Sequence, residues 1–132
     1  MSLFSPSRFE AHAGSLKSAI IVRQWGSHVA KVGGKVFALC GDDGASIAFK
    51  ISETSFEGLT ALAGIAQAPY FAKRAWVSVA KGALGDADLK AYIRASYNMV
   101  VKRLTRKVRT ELGLMIGGEP VTPAGRRKPS AG

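Results

Sequence analysis

The sequence predicts an α+β domain, an antiparallel meander of short strands set between an N-terminal helix and a long C-terminal one. Three observations carry that reading. Strand-like segments between residues 19 and 51 are separated by Gly-rich turns. Apolar residues recur at three- and four-residue intervals from Leu89 to Leu112. A chain of 132 residues with 47% hydrophobic content can bury one core without staples.

Ser5-Pro6 opens a first helix with proline near its first position, and Phe9, His12, Ala13 and Leu16 follow at helical spacing. Gly14 weakens its end, so it should stop near Ser15. Ala19 to Gln24 is rich in β-branched residues and reads as a strand, after which Trp25-Gly26-Ser27 turns the chain. His28 to Val32 and Lys35 to Leu39 flank Gly33-Gly34, where both central residues of a two-residue hairpin can take positive φ. Gly41-Asp42-Asp43-Gly44 is a second turn and leads into the alternating strand Ala45 to Ile51. Ser52 or Thr54 can cap a short helix carrying Phe56, Leu59, Leu62 and Ala63, with Glu57 in its first turn. Gly64 to Ala75 reads as a loop around Ala68-Pro69-Tyr70, and Trp76 to Val79 as a last strand.

Asp86 and Asp88 complement a helix N-terminus. The repeat Leu89, Tyr92, Ile93, Ser96, Tyr97, Val100, Leu104, Val108, Leu112, closed by Gly113, then predicts one helix of about 26 residues, about 39 Å long. The folded domain is expected over residues 1–113. Residues 114–132, with Gly117-Gly118, three prolines and Arg126-Arg127-Lys128, read as a flexible basic tail.

The net charge of +10 is unevenly placed. Residues 1–89 carry nine Lys and Arg against seven Asp and Glu, whereas residues 90–132 carry ten against two. That asymmetry points to a polyanionic partner, DNA or RNA first. No apolar run approaches the length of a membrane span, and the N-terminus has no basic stretch followed by an apolar one, so a cytoplasmic location is expected. Cys40, the single cysteine, excludes an intrachain disulfide and reads as a small buried hydrophobe. His12 and His28 stand in different elements without nearby cysteines, so no metal site is predicted. Gly33-Gly34-Lys35 lacks both the earlier glycine and the following Ser or Thr of a phosphate loop. Ser15, Ser27 and Cys40 lack a positioned base, so no catalytic residues, no cofactor and no enzymatic activity are predicted.

Trp25-Gly26 and the run Val29 to Ala38 resemble the first hairpin of the MmcQ/YjbR proteins. Phe49-Lys50, Ala68-Pro69-Tyr70, Trp76-Val77, Ser96-Tyr97 and Leu104 to Lys107 are similar to that family's later landmarks, in the same order. The resemblance spans about residues 7 to 113 and departs from the family between Ser15 and Val22, where a proline-containing turn is usual. It implies a CyaY-like fold, an antiparallel sheet with the helices packed on one face, and a suspected double-wing DNA-binding role. Likeness of fold does not carry function by itself, and the resemblance brings no catalytic residues with it.

The residues put forward for phosphate contact are Lys102, Arg103, Arg106 and Arg109 on the long helix, opposite the face of Val100, Leu104 and Val108. A solvated basic face is the competing explanation. Against it, Glu111 is the one carboxylate in the helix beyond Asp88, so acid–base pairs four residues apart are missing. Lys31, Lys35 and Lys50 could extend the surface from the strands, and Lys73 and Arg74 from the loop before Trp76. Trp25, Phe71, Trp76, Tyr92 and Tyr97 read as core aromatics, while Tyr70, beside Lys73 and Arg74, is the one candidate for stacking on a base. Two other classes compete: a domain for an acidic protein or a small anion in a cleft near Lys50, Trp76 and Tyr97, and a basic helix on an anionic membrane. A monomer is the default.

Overall fold

The computed structural model describes residues 2–114, so the expected tail with Arg126, Arg127 and Lys128 lies outside the described residues. The elements run α1 (Pro6–Gly14), β1 (Ile20–Gln24), β2 (Ser27–Val32), β3 (Lys35–Gly41), β4 (Ser46–Lys50), α2 (Glu53–Thr60), β5 (Ile65–Gln67), β6 (Trp76–Ala80), α3 (Asp86–Arg103) and α4 (Arg106–Leu112). The strands form one antiparallel sheet in the order β1-β2-β3-β4-β6-β5. The first four follow as a meander because each join is a tight turn. After β4 the chain crosses through α2 to the far edge, lays down β5, and returns to insert β6 beside β4.

The fold is therefore the expected α+β one. Its helices share a main core against one face of the sheet: Phe9 and Ala13 of α1 and Leu89, Ile93 and Val100 of α3 are buried with Phe37, Ile47, Phe49, Val77 and Val79. Phe37 meets Tyr97 edge-on and Phe49 stacks on Tyr92, so aromatic contacts join α3 to the central strands. The opposite face has a thinner cover: Ala48, Ala68 and Trp76 are buried there by Val36, Leu39, Phe71 and Ala75.

Three expectations are corrected. The helix expected to run unbroken to Leu112 is two helices. Leu104 turns extended (φ −71°, ψ 151°), and the hydroxyl of Thr105 accepts from the Val108 amide to cap α4. The apolar repeat continues through the break because Leu104 and Val108 both still pack on the main core. The short middle helix ends at Thr60 rather than carrying Leu62 and Ala63. Its exit tightens into a turn where the Leu62 amide donates to Leu59 and the Ile65 amide to Leu62. That turn feeds β5, a strand inside the segment read as a loop. Ser52 supplies the cap of α2, accepting from the Ser55 amide, and Gly113 ends α4 in the left-handed region at φ 72°.

The β2–β3 hairpin has Gly33 at φ 59° and Gly34 at φ 81°, but the two glycines are not equivalent. A Cβ on Gly33 would sit 2.7 and 2.8 Å from the Leu104 methyl carbons, while one on Gly34 would meet nothing within 4 Å. Gly34→Ala should therefore cost only the left-handed backbone strain, about 1 kcal/mol. Gly33→Ala adds displacement of a packed leucine, for about 2–3 kcal/mol in all. Urea midpoints of the two variants check this, and equal midpoints would show that Leu104 does not constrain the hairpin tip.

Candidate nucleic-acid interface

Five of the nine proposed phosphate-binding residues converge on one concavity of about 500 Å³: Lys50, Lys73, Arg74, Lys102 and Arg103. Three remote stretches of sequence build it. Lys50 ends β4, opposite Trp76 in the ladder with β6. The Ile51 amide donates to the Ala75 carbonyl at 2.8 Å, tying the strand end to the loop that carries Lys73 and Arg74. Lys102 and Arg103 form the last turn of α3, where cations favour the negative end of the helix dipole.

Ser96 sets the alignment of these stretches. Between Ala30 and Lys31 the β2–β3 register shifts, so that Phe37 is passed over. The hydroxyl of Ser96 donates to the Phe37 carbonyl at 2.6 Å and accepts from the Lys50 amide at 2.9 Å. It is fully buried. Arg103 lies seven residues on, two turns along the same helix face, so this contact fixes the end of α3 relative to Lys50.

The charges in the concavity differ in their freedom. Arg74 is held at φ 64° and donates to Glu53 and Glu57 at 3.2 Å each, with its guanidinium 5.4 Å from the centre of the Phe56 ring. The hydrogen bonds it donates to Glu57 and then to Glu53 raise its pKa, and its charge is largely offset. The Arg74 amide donates to Gln67 Oε1, while Gln67 Nε2 donates to the Ala68, Phe71 and Ala72 carbonyls. One side chain thus holds the whole loop. Lys50 has its pKa lowered, first by burial and then by the nearby Arg103 charge. An anion between the two would relieve that repulsion.

The remaining candidates lie elsewhere. Lys35 is exposed at the start of β3, just after the hairpin glycines, and Lys31 is on β2 between the core residues Ala30 and Val32, so it points to the sheet face away from the helices. Arg106 and Arg109 are on α4, where Arg109 Nη1 donates to the Leu104 carbonyl at 3.0 Å across the helix break. The cleft expected near Lys50, Trp76 and Tyr97 is not formed. Trp76 belongs to the opposite face of the sheet, and Tyr97 lies in the main core with its hydroxyl donating to the Lys17 carbonyl.

A second concavity, about 530 Å³, opens on the sheet face away from the helices. Tyr70 stands fully exposed at its rim. Trp25 stands there too, 67% exposed, which corrects its assignment to the core. Sequence reasoning missed it because a tryptophan is expected to be buried; its place between two strands, beside a turn glycine, was the available signal.

His28, isolated in sequence, is set between two carboxylates: Nδ1 contacts Glu10 of α1, and Nε2 lies 2.9 Å from Asp42 in the β3–β4 turn. Arg23 also reaches Asp42, at 3.0 Å. Among the described residues no three His, Cys, Asp or Glu side chains are grouped to hold a metal ion. Cys40 is buried, its thiol pKa pushed up to about 11 by burial and by Asp43, Asp42 and Glu10. Among the described residues no helix is long and apolar enough to cross a membrane.

Solved structures that share the fold include the following two. A Deinococcus radiodurans protein with the domain DUF419 superposes with a TM-score of 0.75 at 24% identity, over 88% of this chain and 94% of that one. A Pseudomonas syringae protein superposes with a TM-score of 0.60 at 20% identity, over 70% and 96%. No curated protein matches the chain. The YjbR family model matches residues 14–99, from the end of α1 through the sheet and most of α3, and the chain belongs to the YjbR family.

Proposed function

We propose that this chain is a non-catalytic module that binds nucleic acid through its phosphates at the basic concavity. The observation that carries the reading is the convergence of Lys50, Lys73, Lys102 and Arg103 from three separate stretches of sequence onto one surface. Arg74 adds little net charge there, because Glu53 and Glu57 are bonded to it. Four unneutralised cations set the expected scale. Phosphate contacts contribute a slope of about −0.9 each in log affinity against log salt, so duplex binding should fall about 150-fold between 50 and 200 mM. Fluorescence anisotropy of labelled DNA across that range is the test. Binding that ignores salt, or none at 50 mM, would overturn the reading.

A single small anion in the same concavity is the second reading, favoured by a volume within the range of ligand sites. It predicts that inorganic phosphate competes with DNA at stoichiometric occupancy rather than as bulk salt.

A further inference from the structure

We propose that the open face of the sheet takes unpaired bases, so that single-stranded nucleic acid is the preferred ligand. This rests on the phosphate-binding reading above. Its own basis is a pair of exposed aromatic rings whose positions the fold does not explain. Trp25 (φ 58°) and Gly26 (φ 70°) are the two central residues of the β1–β2 turn. Such a turn favours Asn, Asp or Gly at its first position, and a tryptophan there is strained. Its ring is 67% exposed, so packing offsets little of the strain. Tyr70 repeats the pattern, at φ 69° and with full exposure. A binding surface would account for strain kept at two exposed aromatic positions, since strained residues cluster at ligand sites.

Both rings border one trough. Its floor includes Leu39, Ala48 and Phe71, with the Ser27, Ser46 and Ser78 hydroxyls among them. Among the described residues none that lines it is acidic. Apolar surface beside exposed rings suits the faces of bases, and hydroxyls suit their edges. The trough and the basic concavity have separate linings but are neighbours along β4. Ser46, Ala48 and Lys50 alternate onto one face of β4, so the step from the trough floor to Lys50 is about 7 Å. The loop between Ala68 and Ala75 borders both, with Tyr70 on the trough and Lys73 in the concavity. Lys31 faces the same side of the sheet from β2. A strand with phosphates at Lys50 and Lys73 therefore has somewhere to lay its bases, and a duplex, whose bases are stacked inside, does not.

The test uses labelled oligothymidine and its duplex with oligoadenine, with Trp25→Asn, Tyr70→Asn and the double variant. Asn tolerates the left-handed region, so these variants keep the fold or strengthen it. Each should weaken oligothymidine binding about tenfold, and the pair about a hundredfold, with duplex binding unchanged. Quenching of tryptophan fluorescence by the oligonucleotide, abolished in Trp25→Asn, would support the proposal further. If the double variant binds oligothymidine like wild type while neutralising Lys102 and Arg103 weakens it, this proposal falls and the phosphate reading stands. If wild type binds neither ligand, the phosphate reading fails and takes this one with it. A wild-type dimer in sedimentation that the double variant abolishes would assign the trough to a second copy, which also overturns the proposal.

Discussion

Lys102→Gln with Arg103→Gln should weaken duplex binding about 200-fold at 50 mM salt but only about 20-fold at 200 mM. Both figures have one origin, the release of counterions from the duplex. A cation paired with a phosphate contributes about 0.9 log units of affinity per decade of salt below 1 M, and neutralising it forfeits that amount. Two such pairings therefore matter most where salt is scarce, and the slope should halve from about −3.6 to about −1.8. Both side chains are exposed, so the exchange leaves the core intact. It costs only their favourable interaction with the end of the α3 dipole, a few tenths of a kcal/mol each. Lys31→Gln with Lys35→Gln removes the same charge outside the concavity and should change duplex affinity less than about threefold. Equal losses in the two pairs would mean diffuse attraction to a basic protein, with no site at the concavity.

The meander was legible because its determinants are local. Gly33-Gly34 and Asp42-Asp43-Gly44 state their turns within a few residues, and the flanking alternation fixes which side chains face the core. The break at Leu104 was not, because two signals disagreed. Hydrophobic spacing runs straight through it, while Thr105, three residues before Val108, is a capping residue that the spacing outweighed. β5 was missed since three residues between Gly64 and Pro69 hold no period. The candidate basic residues were all visible as charges, yet nothing local distinguishes Lys50 from Lys35. Their separation arises from pairing of β4 with β6 and from the angle of α3 across the sheet, both long-range. Trp25 failed for the opposite reason, since residue type predicted burial and the turn geometry prevailed.

Ser96→Ala should be the most damaging single substitution of a polar residue in the domain, at about 2–4 kcal/mol. In sequence Ser96 sits within the apolar stripe of α3, between Ile93 and Val100, and reads as a tolerated small residue. In the structure it serves a donor and an acceptor at once, both backbone groups that the sheet ladder leaves over: the Phe37 carbonyl at the register shift and the Lys50 amide where β4 ends. Each buried group left unpaired costs about 1–3 kcal/mol, more than the hydrogen bond contributed. For a domain of this size the loss corresponds to about 10 °C in melting temperature. Ser52→Ala, which removes an exposed cap, should cost about 1 kcal/mol and serves as the comparison. Amide exchange gives the local readout. Lys50 N–H should lose protection in Ser96→Ala beyond what the global destabilisation explains, while the neighbouring β4 amides that pair with β6 follow the global change. An unchanged urea midpoint would show that Ser96 is not what aligns α3 with β4. If the midpoint falls, phosphate affinity should fall with it even at temperatures where the variant is folded, because the same hydroxyl sets the position of Lys50 against Arg103.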